Sequence, residues 1–242
     1  MGLLVDGKWQ DRWYQAKDGR FEREAAKWRD FVTVDGAPAA GRTRGFRAEP
    51  GRYHLYVSYA CPWAHRTLIL RALKRLQDVV SVSVVHHFMG DQGWTFLKAD
   101  GATGDTLYGL EYLHQVYTRA DPTYTGRVTV PVLWDRREET IVSNESSEII
   151  RMLNSAFDAW GDASVDFYPA SLRAEIDAVN ERVYSAVNNG VYRAGFATTQ
   201  AAYEDAFRTL FAELDALEAR LSRQRYLADG RITEADWRLF TT

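Results

Sequence analysis

Cys61-Pro62-Trp63-Ala64-His65 is the stretch of this 242-residue chain whose residue types could do covalent chemistry. Cys61 is the chain's single cysteine. A lone thiol forms no internal disulfide and anchors no zinc site by itself, and on its own it could be an inert buried hydrophobe. Pro62 shifts that balance. Proline suits the first turn of a helix, where its missing N–H would be unpaired anyway. Cys61 is then at or just before a helix N-terminus, where unpaired amides and the helix dipole stabilise an anion. That position predicts a depressed thiol pKa and a reactive thiolate at neutral pH. With no second cysteine to resolve it, an oxidised or adducted Cys61 must be released by an external thiol, and glutathione is the abundant one in a cytosol. His65, one turn later, either shares the thiolate's face or packs under the helix.

Two further motifs could hold a peptide-like ligand. In Val130-Pro131-Val132 a proline opens a strand although it cannot donate to a sheet ladder. A cis peptide there would turn the Val130 backbone outward for pairing with an extended ligand; an edge-strand trans proline is the alternative. Ser143-Asn144-Glu145-Ser146 opens a helix. Its amides could hold a carboxylate and Glu145 an ammonium, the two charges that a γ-glutamyl group carries on one carbon; plain helix capping is the other reading. No metal or nucleotide site emerges. There is no phosphate-cradling glycine loop, and His86 and His87, adjacent on an expected strand, face opposite sides.

These residues need a scaffold. Tyr53–Val57 reads as a strand, 63–76 as a helix with Leu68, Leu70, Ala72, Leu73 and Leu76 at helical spacing, and 79–87 as a second strand. That βαβ unit implies a parallel pair. Residues 89–127 form a long connection with a short helix at 110–117, and 128–134 with 139–142 read as a β-hairpin. A helix follows over 144–157, capped by Ser143 or Asn144. Beyond Pro169 only helices are expected, over 170–191 and 199–222, the second with Phe207, Leu210, Phe211, Leu214, Leu217 and Leu221 on one face. Residues 1–52 read as an irregular extension whose aromatics pack on the body, 53–160 as one domain and 168–242 as another.

Composition sets the class. The chain is 46% hydrophobic and 26% charged, enough apolar material for a sizeable core, and its formal net charge of -3 argues against a nucleic-acid partner. No run approaches a membrane span, the first residues lack the order of a signal peptide, and Asp6 spoils a myristoylation motif after Met1-Gly2.

Taken together, the motifs resemble the glutathione transferase superfamily and, within it, the xi class of glutathionyl-hydroquinone reductases. The aromatic amino-terminal extension, Cys61-Pro-Trp-Ala-His65, Gly90-Asp-Gln-Gly-Trp-Thr-Phe96, Thr129-Val-Pro-Val-Leu-Trp-Asp135, Ser143-Asn-Glu-Ser146 and Asn188-Asn-Gly-Val-Tyr-Arg-Ala-Gly-Phe196 carry it, over nearly the whole chain. The resemblance implies an α/β thioredoxin-like N-terminal domain (βαβ–ββα, a mixed four-stranded sheet) followed by an all-α C-terminal domain. It implies Cys61 as nucleophile, with Trp94, Arg127, Val130, Glu145 and Ser146 binding glutathione as co-substrate, and no metal. Tyr192 would line the quinol pocket and donate to a quinol oxygen. A cytoplasmic homodimer without nucleic-acid or membrane partners goes with it. Thr233-Glu-Ala-Asp236 reads as a capping signal with Ile232 and Trp237 placed for a hydrophobic staple. The chain ends at Thr242, so the second domain is expected to be incomplete and the protein less stable and less active than a longer form.

The implied reaction has two steps. The Cys61 thiolate takes the sulfur of a glutathionyl-hydroquinone, freeing the hydroquinone, and a second glutathione then releases oxidised glutathione from the mixed disulfide. Two alternatives stay open: an omega-like thioltransferase or dehydroascorbate reductase, and a non-catalytic structural or ligand-carrying relative. Conjugation of glutathione to electrophiles, with Tyr59 or Ser58 as the activating hydroxyl, carries less weight.

Overall fold

The computed structural model describes residues 2–14 and 16–242. The chain divides into two compact units, Met1–Trp13 with Ala25–Val165 and Tyr14–Glu24 with Asp166–Thr242.

The amino-terminal segment holds more regular structure than its sequence suggests. In the first unit, β1 (Leu3–Val5) and β2 (Lys8–Gln10) pair antiparallel, while β3 (Phe31–Thr33) and β4 (Gly45–Arg47) pair in parallel. Each strand is three residues long, too short to show an alternation, and β1 finds its second partner far along the chain.

The main sheet of the first unit has the order β6-β5-β8-β9. β5 (Tyr53–Val57) leads into α1 (Pro62–Leu73), which returns the chain to β6 (Val80–Val84), parallel to β5. A long ordered connection carries α2 (Leu113–Ala120) and β7 (Gly126–Arg127). β8 (Val132–Asp135) and β9 (Thr140–Ser143) add an antiparallel hairpin, and α3 (Ser146–Ser155) closes the motif. This is the mixed βαβ–ββα sheet that the resemblance implied. β5 is buried along its whole length, as a central strand covered on both faces must be, and Leu55, Tyr56, Trp134, Leu70 and Phe157 are among the fully buried side chains around it.

The second unit is helical. A 3-10 turn leads into α4 (Arg173–Arg182), a π-helical segment Val183–Asn188, α5 (Gly190–Gly195), α6 (Gln200–Leu221) and α7 (Glu234–Phe240). The single helix expected over 170–191 is therefore a 3-10 turn followed by three helical segments. Its apolar side still points one way, since Ile176, Val179, Val183 and Val187 join Leu210, Leu217, Leu227 and Ala235 in one core. On α6 the expected apolar face splits: Leu210 and Leu217 are buried while Phe207, Phe211, Leu214 and Leu221 are exposed. Thr233 and Asp236 form the expected capping box on α7. No helix among the described residues is long and apolar enough to cross a membrane.

Candidate active site

The registers of the main sheet place the chemistry at one of its ends. Val57, the last residue of β5, pairs with Val84, the last of β6. Tyr56 sits opposite Val132, where β8 begins, and Leu133 opposite Ser143, where β9 ends. The segments leaving this edge are therefore 58–61, the connection after β6, 128–131, and 144–146. Four stretches distant in sequence meet at one edge because a mixed βαβ–ββα sheet brings them there.

Cys61 is the N-cap of α1, with extended backbone (φ -104, ψ 114) and Pro62 behind it in the first turn. Its carbonyl accepts the amide of His65 at 3.0 Å, closing the first helical turn, and its half-buried Sγ lies 3.5 Å from the carbonyl oxygen of Val130. Cys61 thus stands at the positive end of the helix dipole, its side chain making no cap hydrogen bond. The Val130–Pro131 peptide is cis. His65 is exposed, so it does not pack under the helix.

At the head of α3 the cap is Glu145, one or two residues later than expected. Its carboxylate accepts the Ser147 amide at 3.1 Å and the Ser147 hydroxyl at 2.9 Å. Ser143 instead supports the cap, its hydroxyl accepting the Glu145 amide at 3.2 Å. Ser146 is the unexplained member: it is 2% exposed and its hydroxyl has no hydrogen-bond partner among the described residues. A buried hydroxyl left unpaired is costly, and a carboxylate arriving at this helix head would satisfy it. The donor set at this edge therefore fits a peptide-like ligand with a carboxylate end.

Trp94 and Arg127 are held in place by the amino-terminal segment and α2. Trp94 is 9% exposed, and its carbonyl accepts the amide of Leu113 at 2.9 Å. Just before it, Gly93 adopts φ +71, and a Cβ there would come within 2.7 Å of the Trp9 ring. Trp9 in turn donates its indole N–H to the Asp91 carbonyl at 2.7 Å and stacks on His114 at 4.9 Å. Burial lowers the His114 pKa. Arg127 pairs with Leu3 across β7 and β1, and its guanidinium donates to the carbonyls of Arg12 at 2.6 Å and Trp13 at 3.2 Å.

Tyr192 belongs to the second unit. Its ring stacks on Phe21 at 6.1 Å and meets Phe196 at 5.9 Å, with the Arg23 guanidinium 5.6 Å above it. Phe21 also walls a cavity of about 530 Å³ in that unit, together with Arg20, Arg23, Tyr184, Asn189 and Arg193.

His86 and His87 do not face apart. β6 stops at Val84, and freed from strand geometry their rings stack at 4.3 Å. Among the described residues no group of three or more His, Cys, Asp or Glu is placed to hold a metal ion.

Sequence reasoning missed the residues that support the site. Trp9 and Trp28 registered only as aromatics in a loop-rich segment, and Tyr117 only as the end of the short helix expected over 110–117. Trp28 packs on Tyr124 at 4.5 Å and Tyr117 at 5.3 Å, and its backbone exchanges two hydrogen bonds with Asn144, one with the Asn144 backbone amide and one with its side-chain oxygen. No local pattern signals partners about ninety residues or more away.

Comparison with known proteins agrees with this geometry. Residues 60–156 match the glutathione S-transferase N-terminal domain family and residues 200–242 the C-terminal domain family. Two curated relatives named glutathionyl-hydroquinone reductases, PcpF of Sphingobium chlorophenolicum and YqjG of Escherichia coli (strain K12), are each 57% identical over all of this chain and 75% of their own length. The glutathione-bound structure of YqjG superposes with a TM-score of 0.91 at 54% identity, over the whole of this chain and 73% of that one. A xi class transferase from Natrialba magadii superposes with a TM-score of 0.90 at 48% identity, over the whole of this chain and 72% of that one. The chain belongs to the glutathione S-transferase superfamily, in the xi class with the glutathionyl-hydroquinone reductases.

Proposed function

We propose that this chain reduces glutathionyl-hydroquinones to hydroquinones at the expense of glutathione, through a Cys61–glutathione mixed disulfide. The observation that carries the reading is Cys61 at the head of α1, 3.5 Å from the Val130 carbonyl, in a chain 57% identical throughout to two glutathionyl-hydroquinone reductases.

In the first step the Cys61 thiolate attacks the glutathionyl sulfur. A sulfur–sulfur bond forms, the bond from sulfur to ring carbon breaks, and its electron pair stays on the ring, which takes up one proton and leaves as the hydroquinone. In the second step a glutathione thiolate attacks the mixed disulfide, forming oxidised glutathione and returning Cys61 as thiolate. The sum is one glutathionyl-hydroquinone and one glutathione giving one hydroquinone and one oxidised glutathione. In this reading Val130 pairs its backbone with the tripeptide, Glu145 takes its ammonium, Ser146 and the α3 amides take its α-carboxylate, and Trp94 and Arg127 complete the glutathione site. Tyr192 donates a hydrogen bond to a quinol oxygen. A homodimer working in the cytoplasm, where glutathione is plentiful, completes the proposal.

The test is turnover of a glutathionyl-hydroquinone by the wild-type chain and by Cys61→Ala, with mass spectrometry after incubation with oxidised glutathione. The wild type should release hydroquinone and gain one glutathione on Cys61; the variant should do neither. Normal turnover by Cys61→Ala would sink the mechanism. Faster turnover on a small mixed disulfide than on the quinol conjugate would assign the same thiolate to a thioltransferase.

A further inference from the structure

We infer that Tyr117 is a positioning residue for glutathione, its hydroxyl fixing together the two backbone segments, Thr129–Val130 and Asn144–Ser146, that receive the tripeptide. The inference rests on the roles proposed above for Val130, Glu145 and Ser146.

Tyr117 is fully buried on α2. Its phenol donates to the Thr129 carbonyl at 2.8 Å and accepts both the Thr129 amide at 3.1 Å and the Asn144 side-chain amide at 3.2 Å. One donor and two acceptor positions are all that a phenolic hydroxyl has, so this one is saturated. The residue it grips from both sides, Thr129, immediately precedes the cis Val130–Pro131 peptide beside the Cys61 sulfur. The other, Asn144, immediately precedes the Glu145 cap and the unpaired hydroxyl of Ser146. Asn144 has no slack of its own. Its side-chain oxygen accepts the Trp28 backbone amide at 3.3 Å and its own backbone amide donates to the Trp28 carbonyl at 3.1 Å. Neither β8 nor β9 extends this far, so at these residues the hydroxyl does what ladder hydrogen bonds do further along.

Burial keeps this group in one protonation state. Loss of water around the ring raises the Tyr117 pKa, and the bonds from Thr129 and Asn144 offset that only in part. The phenol therefore stays a donor across the working range, and its removal should change affinity without moving a pH profile.

Tyr117→Phe removes one oxygen and keeps the ring between Trp28 and Tyr124. Isothermal calorimetry should show glutathione Kd raised about tenfold, with KM for glutathione rising alongside. The rate at which iodoacetamide alkylates Cys61 without glutathione, and its pH dependence, should stay at wild-type values. Asn144→Ala should act in the same direction, and the double variant should lose less than the product of the two, because both act through one node. Tyr53→Phe is the matched control: it deletes another buried hydroxyl, bonded to the Arg47 carbonyl at the opposite end of the sheet, and should leave Kd unchanged. A folded Tyr117→Phe with wild-type Kd overturns the role, as does Tyr53→Phe raising Kd equally. Should Tyr117→Phe fail to fold, Asn144→Ala decides alone. A wild-type chain that binds no glutathione overturns the proposed function itself, a result distinct from unchanged affinity in the variants.

Discussion

Glu145 turns its carboxylate onto the amide and hydroxyl of Ser147, at 3.1 and 2.9 Å, while Ser146 between them keeps a buried hydroxyl with no partner among the described residues. Capping alone would use the first polar oxygen available at the helix head. Here the cap is taken by the longer side chain, and the hydroxyl beside it is held in reserve.

Ser146→Ala should therefore separate binding from stability. Losing an unpaired buried hydroxyl relieves a desolvation penalty, so the melting temperature should hold or rise slightly. Glutathione affinity should fall by roughly tenfold if that hydroxyl takes the ligand carboxylate, about 1.4 kcal/mol. Calorimetry with and without glutathione checks both halves; a drop in melting temperature with unchanged Kd would make Ser146 a purely structural residue.

Gly93→Ala should disturb the loop that carries Trp94. The position combines φ +71 with a Trp9 ring atom 2.7 Å from where the Cβ would sit, and the ring is anchored by its bond to Asp91 and its stack on His114. A left-handed alanine and the overlap together should destabilise the chain by roughly 1–3 kcal/mol, read from urea unfolding. Trp9→Ala in the same background should recover part of that loss by opening the space. No recovery would mean that the backbone conformation alone is responsible.

The acid limb of stability should carry the signature of His54. This residue is fully buried between Ser81 and Ser83, whose hydroxyls lie 2.7 and 2.9 Å from its ring nitrogens, and burial lowers its pKa to about 3. In the unfolded chain the same imidazole titrates near 6.5. Between those values the unfolded state binds a proton that the folded state refuses, so stability is full above about pH 6.5 and falls as pH drops toward 3. One such proton contributes a slope of about 1.4 kcal/mol per pH unit. Unfolding free energies at pH 4, 5, 6 and 7 should show this limb for the wild type and a shallower one for His54→Asn; identical slopes would assign the acid sensitivity elsewhere.

Most of what positions the thiol was legible in the sequence. Pro62 after Cys61 announced the helix head, and the aromatic and β-branched run of 53–57 gave a strand with the right bounds. The four early strands were hidden, because a three-residue strand has no periodicity and is defined by a partner elsewhere. Glu145 as cap was hidden too, since Ser143 and Asn144 are better capping types and only the tertiary turn decides which oxygen reaches the amides. On α6, helical spacing found the apolar residues but could not tell which stripe packs inward; Leu210 lies against Gly190 of α5 and Leu217 joins Ile176 and Val179 of α4 in the core, while Phe207 and Phe211 stay exposed.

The pairing of β1 with β7 also sets an order of events during synthesis. Leu3 waits for Arg127, Asp30 for Val142, and Trp28 for Asn144, so the opening segment emerges from the ribosome about a hundred residues ahead of its partners. At ordinary elongation rates of about 5–20 residues per second that is a wait of roughly 5–20 s. Through it Trp9 and Trp28 remain without their final packing. This amino-terminal segment is thus among the last to settle, and the edge of the sheet beside Cys61 is complete only when it returns to meet residues 126–144.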